Sequence, residues 1–146
     1  MSVVSFYIGD DMSSNNQSTT QQEPMDQPVK LAKGTLNADI FEHFTPAINV
    51  QKFPEGQLTT EQVELFNSPD NKARFGIYSE SAYSYTFTEP FGKNEFMHFV
   101  AGSVTLTSSD GSVTQINTGD SIMLPATWTG TWETQGYTKI YMSATV

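Results

Sequence analysis

The chain has 146 residues, room for one sizeable core, and 37% of them are apolar, with ten Phe, six Tyr and two Trp. Its charged residues, 16% of the total, fall below the roughly 25% of an average soluble domain, the profile of an aromatic, β-rich globular protein. The formal charge of −9 and the single arginine, Arg74, leave no basic cluster to neutralise phosphates, which excludes nucleic acid and disfavours anionic membrane surfaces.

No apolar run approaches the ~20 residues that a spanning helix needs. Zero cysteines exclude a disulfide framework, a thiol nucleophile and a thiolate metal site. The opening "MSVVSFYIGDDMSSNN" lacks a basic leader and is interrupted by Ser5, Gly9 and Asp10-Asp11, so it makes a poor signal peptide, and a cytoplasmic location is the default.

Residues 10–28, "DDMSSNNQSTTQQEPMDQP", are polar and hold almost nothing to bury against the entropy cost of ordering. We expect a flexible tail over 1–28, in which "VVSFYI", Val3 to Ile8, is the one apolar stretch able to pair with a sheet edge. From Val29 to Asn71 the apolar positions are irregular, and Pro46 and Pro54 stop any long helix. "TTEQVELFN", from Thr59, reads either as a capped helical turn or two, with Glu61 and Glu64 near the N-terminus, or as a short strand at Val63 to Phe66.

From Arg74 onward β-formers dominate. Strands are predicted at 74–79, 82–88, 95–107, 112–117, 120–125, 130–134 and 138–144, separated by turn residues. Asp110-Gly111 sits between two alternating runs and predicts a hairpin. Short strands in succession without helices imply an antiparallel sandwich or barrel.

Two spacings stand out: Glu95 and Gly102 are separated by six residues, and Gly119 and Pro125 by five. Both match the paired motifs of the cupins. The string from Asn94 through "GD" at Gly119-Asp120, "LPATWTGTWE" and "KIYM" at Lys139 to Met142 resembles the ureidoglycine aminohydrolase cupin domain over roughly residues 73–142. The resemblance implies an all-β fold, a cupin jelly-roll or double-stranded β-helix barrel, here preceded by an irregular N-terminal arm, with residues 29–146 forming one domain.

Cupin metal centres of three imidazoles and a carboxylate need three histidines, whereas this chain has His43 and His98 alone. The second-motif histidine of the resembling family falls on Gly130, and no imidazole precedes Glu95 in "AYSYTFTEPFGKN". We therefore expect no metal and no other cofactor. Glu95 and His98, three apart on a strand, should face opposite sides, leaving His98 to packing or an interface.

If Glu95 points inward, as the resemblance implies, Met97 and Phe99 share its face, and Trp132 shares the face of position 130. Tyr85, with Tyr83 and Phe87, adds to the same pocket if its strand is in phase. The candidate site is thus Glu95 as a metal-free acid/base, walled by Tyr85, Met97, Phe99, Gly130 and Trp132. The implied ligand is a small polar metabolite of ureido type, and the implied assembly is a homodimer. The competing reading is a non-catalytic binding, sensing or structural cupin. A solvent-open lumen with a second titratable group near Glu95 favours catalysis, and a filled lumen favours the non-catalytic role.

Overall fold

The computed structural model describes residues 26–146. All but the last three residues of the expected tail, and the Val3 to Ile8 stretch, lie outside the described residues. A one-turn helix α1 (Ile40–His43) precedes seven strands: β1 (Ala47–Phe53), β2 (Gly56–Asn67), β3 (Ala73–Phe87), β4 (Lys93–Ser108), β5 (Val113–Asn117), β6 (Ser121–Leu124) and β7 (Gly130–Thr145). All pairings are antiparallel, in the order β1-β2-β3-β7-β4-β5, and β6 pairs with the first half of β4. This is the cupin-type β architecture that the paired motifs imply.

The sheet has an inner and an outer apolar layer because its long strands alternate. Tyr78, Tyr85, Met97, Phe99, Val104, Leu106, Trp132, Tyr137 and Tyr141 form the inner core. On the opposite face Val63, Leu65, Ile77 and Ile140 are covered by Ile40, with Leu31, Leu36 and Phe41 packed alongside. The arm before β1 is irregular in backbone but closes an outer core.

Three elements differ from the sequence reading. The stretch from Thr59 is not a capped helix; the alternative strand at Val63 to Phe66 forms, as part of the longer β2. Val63 and Leu65 pack outward while Glu64 turns inward to Arg74, at 3.2 Å, so tertiary burial on both faces overrides the helix-favouring acidic pair.

The expected breaks at Glu80–Ser81 and Gln135–Tyr137 do not interrupt the strands, which run on as β3 and β7 in unbroken register. Small polar residues there serve the sheet: Ser79 Oγ donates to the Tyr137 carbonyl at 3.0 Å, and Ser81 Oγ accepts from the Thr59 amide at 2.9 Å. The third difference is β1, whose turn into β2 at Pro54-Glu55 pairs Phe53 with Gly56.

The Asp110-Gly111 hairpin forms as expected, with Gly111 N donating to Ser108 O at 2.8 Å and Asp110 Oδ1 accepting from Ser112 N at 2.9 Å. Gly130, however, is a close-approach position. A Cβ there would run into the Thr107 carbonyl oxygen and lie 2.7 Å from Trp128 Cζ2 and 2.9 Å from Ser108 Cα, at a φ of 154°. Gly130→His should therefore destabilise the fold by at least ~1 kcal/mol, seen as a lower urea midpoint with unchanged slope. A midpoint equal to wild type would mean that β4 and β7 separate freely at this point.

Candidate functional site

The central strands place one stripe of residues in the lumen. In β7 these are Trp132, Tyr137, Lys139, Tyr141 and Ser143; β4 supplies Glu95, Met97 and Phe99; β3 supplies Tyr78, Glu80 and Tyr85. Register fixes their neighbours. Lys139 lies between Tyr78 of β3 and Phe99 of β4, Glu80 faces Tyr137, and Tyr85 faces Trp132.

Lys139 is the centre of this stripe. Its Nζ donates to Glu95 Oε2 at 2.5 Å and to Met97 Sδ at 3.7 Å, and both Lys139 and Glu95 are 0% exposed. The ammonium lies 5.2 Å from the ring centroid of Tyr78, 5.7 Å from Trp132 and 5.9 Å from Tyr137. A second ammonium, Lys93 Nζ, stands 3.7 Å from Glu95 Oε1 at the end of β4 and is itself over the Phe91 ring. Burying an unpaired charge costs several kcal/mol, so this lysine and carboxylate persist in the core only as a pair, with the rings as added support.

Glu80 is the second buried carboxyl. Tyr78 Oη donates to its Oε2 at 3.0 Å and Tyr137 Oη at 3.4 Å, while its Oε1 has no hydrogen-bond partner among the described residues. Burial pushes its pKa up to about 7, against the opposing pull of the Tyr78 hydrogen bond, the Lys139 charge and the Tyr137 hydrogen bond. Burial, and then the neighbouring Glu80, also raise Tyr85 and Tyr137 well above the usual phenol range. Trp132 Nε1 is likewise buried with no partner among the described residues.

The predicted site residues thus separate into two groups. Glu95, Met97, Phe99, Tyr85 and Trp132 come together in the lumen as packed side chains. Gly130 shares their face, but the space before it is taken by the Thr107 carbonyl and the Trp128 indole. It borders a shallow open groove with Thr86, Phe87, Thr107, Ser108 and Thr131 at the strand ends.

His98 faces outward, its Nδ1 2.8 Å from Ser121 Oγ, and His43 ends α1 beside Asp39 at 3.5 Å. Sequence reading missed Lys139, Glu80, Tyr78 and Tyr137. The signal was period two: Tyr137, Lys139 and Tyr141 alternate on one face, as do Tyr78 and Glu80.

The donor set does not fit a cupin metal centre. No cluster of three or more His, Cys, Asp or Glu side chains suited to a metal occurs among the described residues. Both oxygens of Glu95 face ammonium groups, which repel a divalent cation.

Residues 85–141 match the EutQ-like cupin domain family. That match covers less than half of the chain, and with the antiparallel architecture just described it supports a cupin-type fold. Among solved structures it is similar to a Pseudomonas syringae pv. tomato protein of unknown function in the DUF861 family, at 21% identity and a TM-score of 0.58 over 68% of this chain and 43% of that one.

It is also similar to the EutQ protein of Clostridium difficile, at 14% identity and a TM-score of 0.50 over 61% of this chain and 64% of that one. Ectoine synthase from P. lautus gives 11% and 0.50 over 59% of this chain and 64% of that one. The chain thus spans less than two thirds of each of these proteins, and at such identities the likeness is one of fold. No curated protein matches the chain. No helix among the described residues is long and apolar enough to cross a membrane.

Glu80 generates a pH prediction. Because its folded pKa, about 7, lies above the usual glutamate value of 4.5, the folded state holds the proton more tightly, and the stability this contributes is lost as pH rises from about 4.5 through about 7. The loss is on the order of 3 kcal/mol across that window. Glu80→Gln, a mimic of the protonated form, should flatten the decline in stability between pH 5 and 8, measured by urea unfolding at each pH. An unchanged slope would mean that Glu80 stays charged in the fold.

Proposed function

We propose that this protein is a non-catalytic cupin whose barrel is a sealed, ion-paired core and whose working surface is its exterior. One observation carries the reading: Lys139, Glu95, Met97, Phe99, Trp132, Tyr78 and Tyr141 are all 0% exposed, so the volume in which a cupin substrate would sit is filled by the chain's own side chains. Glu95 has a titratable neighbour, as an acid/base residue would, yet neither group reaches solvent. A general acid or base has to come within hydrogen-bond reach of its substrate.

A second reading keeps a small polar ligand of ureido type in the lumen. Glu80 Oε1 and Trp132 Nε1 favour it, being a buried acceptor and a buried donor without partners among the described residues. The two readings separate on the wild-type protein. With millimolar hydantoate as the ureido probe, the sealed-core reading predicts no shift in melting temperature and no ammonia release. A saturable upward shift that disappears in Glu80→Gln would replace it with the ligand-binding reading.

The exterior offers an interaction surface. Phe96 on β4 pairs in register with Met123 on β6 and Met142 on β7, and the three are 38%, 66% and 53% exposed. An uncovered apolar row across three strands of the outer face suits association, and a second copy of the chain is the proposed occupant. At −9 per chain the copies repel, so association should strengthen with salt. Light scattering should give a dimer mass at 0.3 M NaCl for wild type and a monomer for Met123→Glu/Met142→Glu; a wild-type monomer at that salt would remove the dimer.

A further inference from the structure

The surroundings of Lys139 Nζ have the composition of a ligand site. Three aromatic rings, Tyr78, Trp132 and Tyr137, lie within 6 Å of the nitrogen. The Glu95 carboxylate accepts its proton at 2.5 Å, and the Met97 thioether lies at 3.7 Å. Rings that present their negative faces to one point, closed by a carboxylate, bind ammonium groups in preference to neutral groups of the same shape. Such a cage is usually open to a ligand. Here it is closed, and the ammonium inside belongs to the chain.

We infer that the barrel is a receptor for a primary alkylammonium ion, occupied by its own Lys139, so that a built-in cation stands in the interior that a metal ion fills in metal-binding cupins. The inference rests on the sealed-core reading and says what seals it. Register supports the assignment, because Tyr78 of β3 is the direct neighbour of Lys139, Tyr137 precedes it by two residues on the same face of β7, and Met97 is two residues from Glu95 on the same face of β4.

Tethering explains the closed state. The lysine is held at the high effective concentration of an intramolecular group, which excludes free amines at ordinary concentrations. Glu80, whose Oε2 is held by Tyr78 and Tyr137, anchors two of the three rings from behind.

Truncation by Lys139→Ala removes three methylene groups and the ammonium, the atoms of n-propylammonium. The variant should melt below wild type, and n-propylammonium chloride should raise its melting temperature saturably by several degrees. Three controls, 1-propanol, potassium chloride at equal ionic strength and manganese chloride, should not.

Wild type should respond to propylammonium no more than to potassium chloride at equal ionic strength, and Lys139→Ala/Glu95→Gln should lose the response specific to propylammonium. Equal effects of propanol and propylammonium, a larger effect of manganese, or no rescue at all would overturn the inference. If Lys139→Ala does not fold alone, the measurement becomes recovery of folded protein on refolding, expected with propylammonium and absent with propanol; no recovery with either overturns it equally. These arms use the variant, whereas the sealed-core reading is tested on wild type with hydantoate, so the two can fail separately.

Discussion

The buried ion pair between Lys139 and Glu95 is the constraint around which this barrel is organised. Two charges at 0% exposure cannot each stand alone, because an uncompensated ion in the protein interior costs several kcal/mol. Their presence therefore dictates the residues around them. Lys139 and Glu95 come from β7 and β4, adjacent strands, so the pair also ties together the two long central elements of the sheet. Aromatic residues supply the rest of the lining, since rings can pack densely and still present a negative face to an ammonium.

A cupin lumen lined in this way differs in kind from one that holds a metal. A metal centre needs neutral imidazoles that converge on an empty position, and its charge is supplied from solution. Here the cation is covalent, its counter-ion is Glu95 of the first motif, and packed side chains occupy the space between. Glu80 extends the polar layer without adding a second full charge at neutral pH, because burial keeps it partly protonated and two tyrosines donate to it. The outer face carries an apolar core under the N-terminal arm and an exposed apolar row at Phe96, Met123 and Met142.

Much of this fold was legible from residues 74–146, where β-branched and aromatic residues alternate and the Asp-Gly and Gly-Asp turns fall between strands. That Glu95, Met97 and Phe99 share one face and His98 takes the other followed from strand period, whereas the inward direction of the shared face was implied by the resemblance. Other features were hidden for physical reasons. Ser81 and Gly136 read as breaks because local preference cannot reveal that the Ser81 hydroxyl accepts from the Thr59 amide across the sheet or that the Gly136 amide donates to Thr134 Oγ1 within β7. Lys139 was passed over as part of a closing strand because a lone lysine is ordinarily a surface residue; only the pairing of β4 with β7 brings it to Glu95. Gly130 drew notice for the histidine it lacks, whereas its structural role is the close approach of β7 to the β4 backbone at Thr107 and Ser108.

The central claim is that Lys139 and Glu95 stabilise the barrel as one unit and not as two independent core residues. A double-mutant cycle on unfolding free energy, using Lys139→Met, Glu95→Gln and the combined variant, measures this directly. Glu95→Gln leaves the buried Lys139 without its carboxylate and Lys139→Met leaves Glu95 with Lys93 alone at 3.7 Å, so each should cost roughly 3–5 kcal/mol, while the combined variant, which removes both buried charges, should lose less than the sum of the two by well over 1 kcal/mol. Losses that add to within about 0.5 kcal/mol would show that the two side chains do not depend on each other, and would contradict the account.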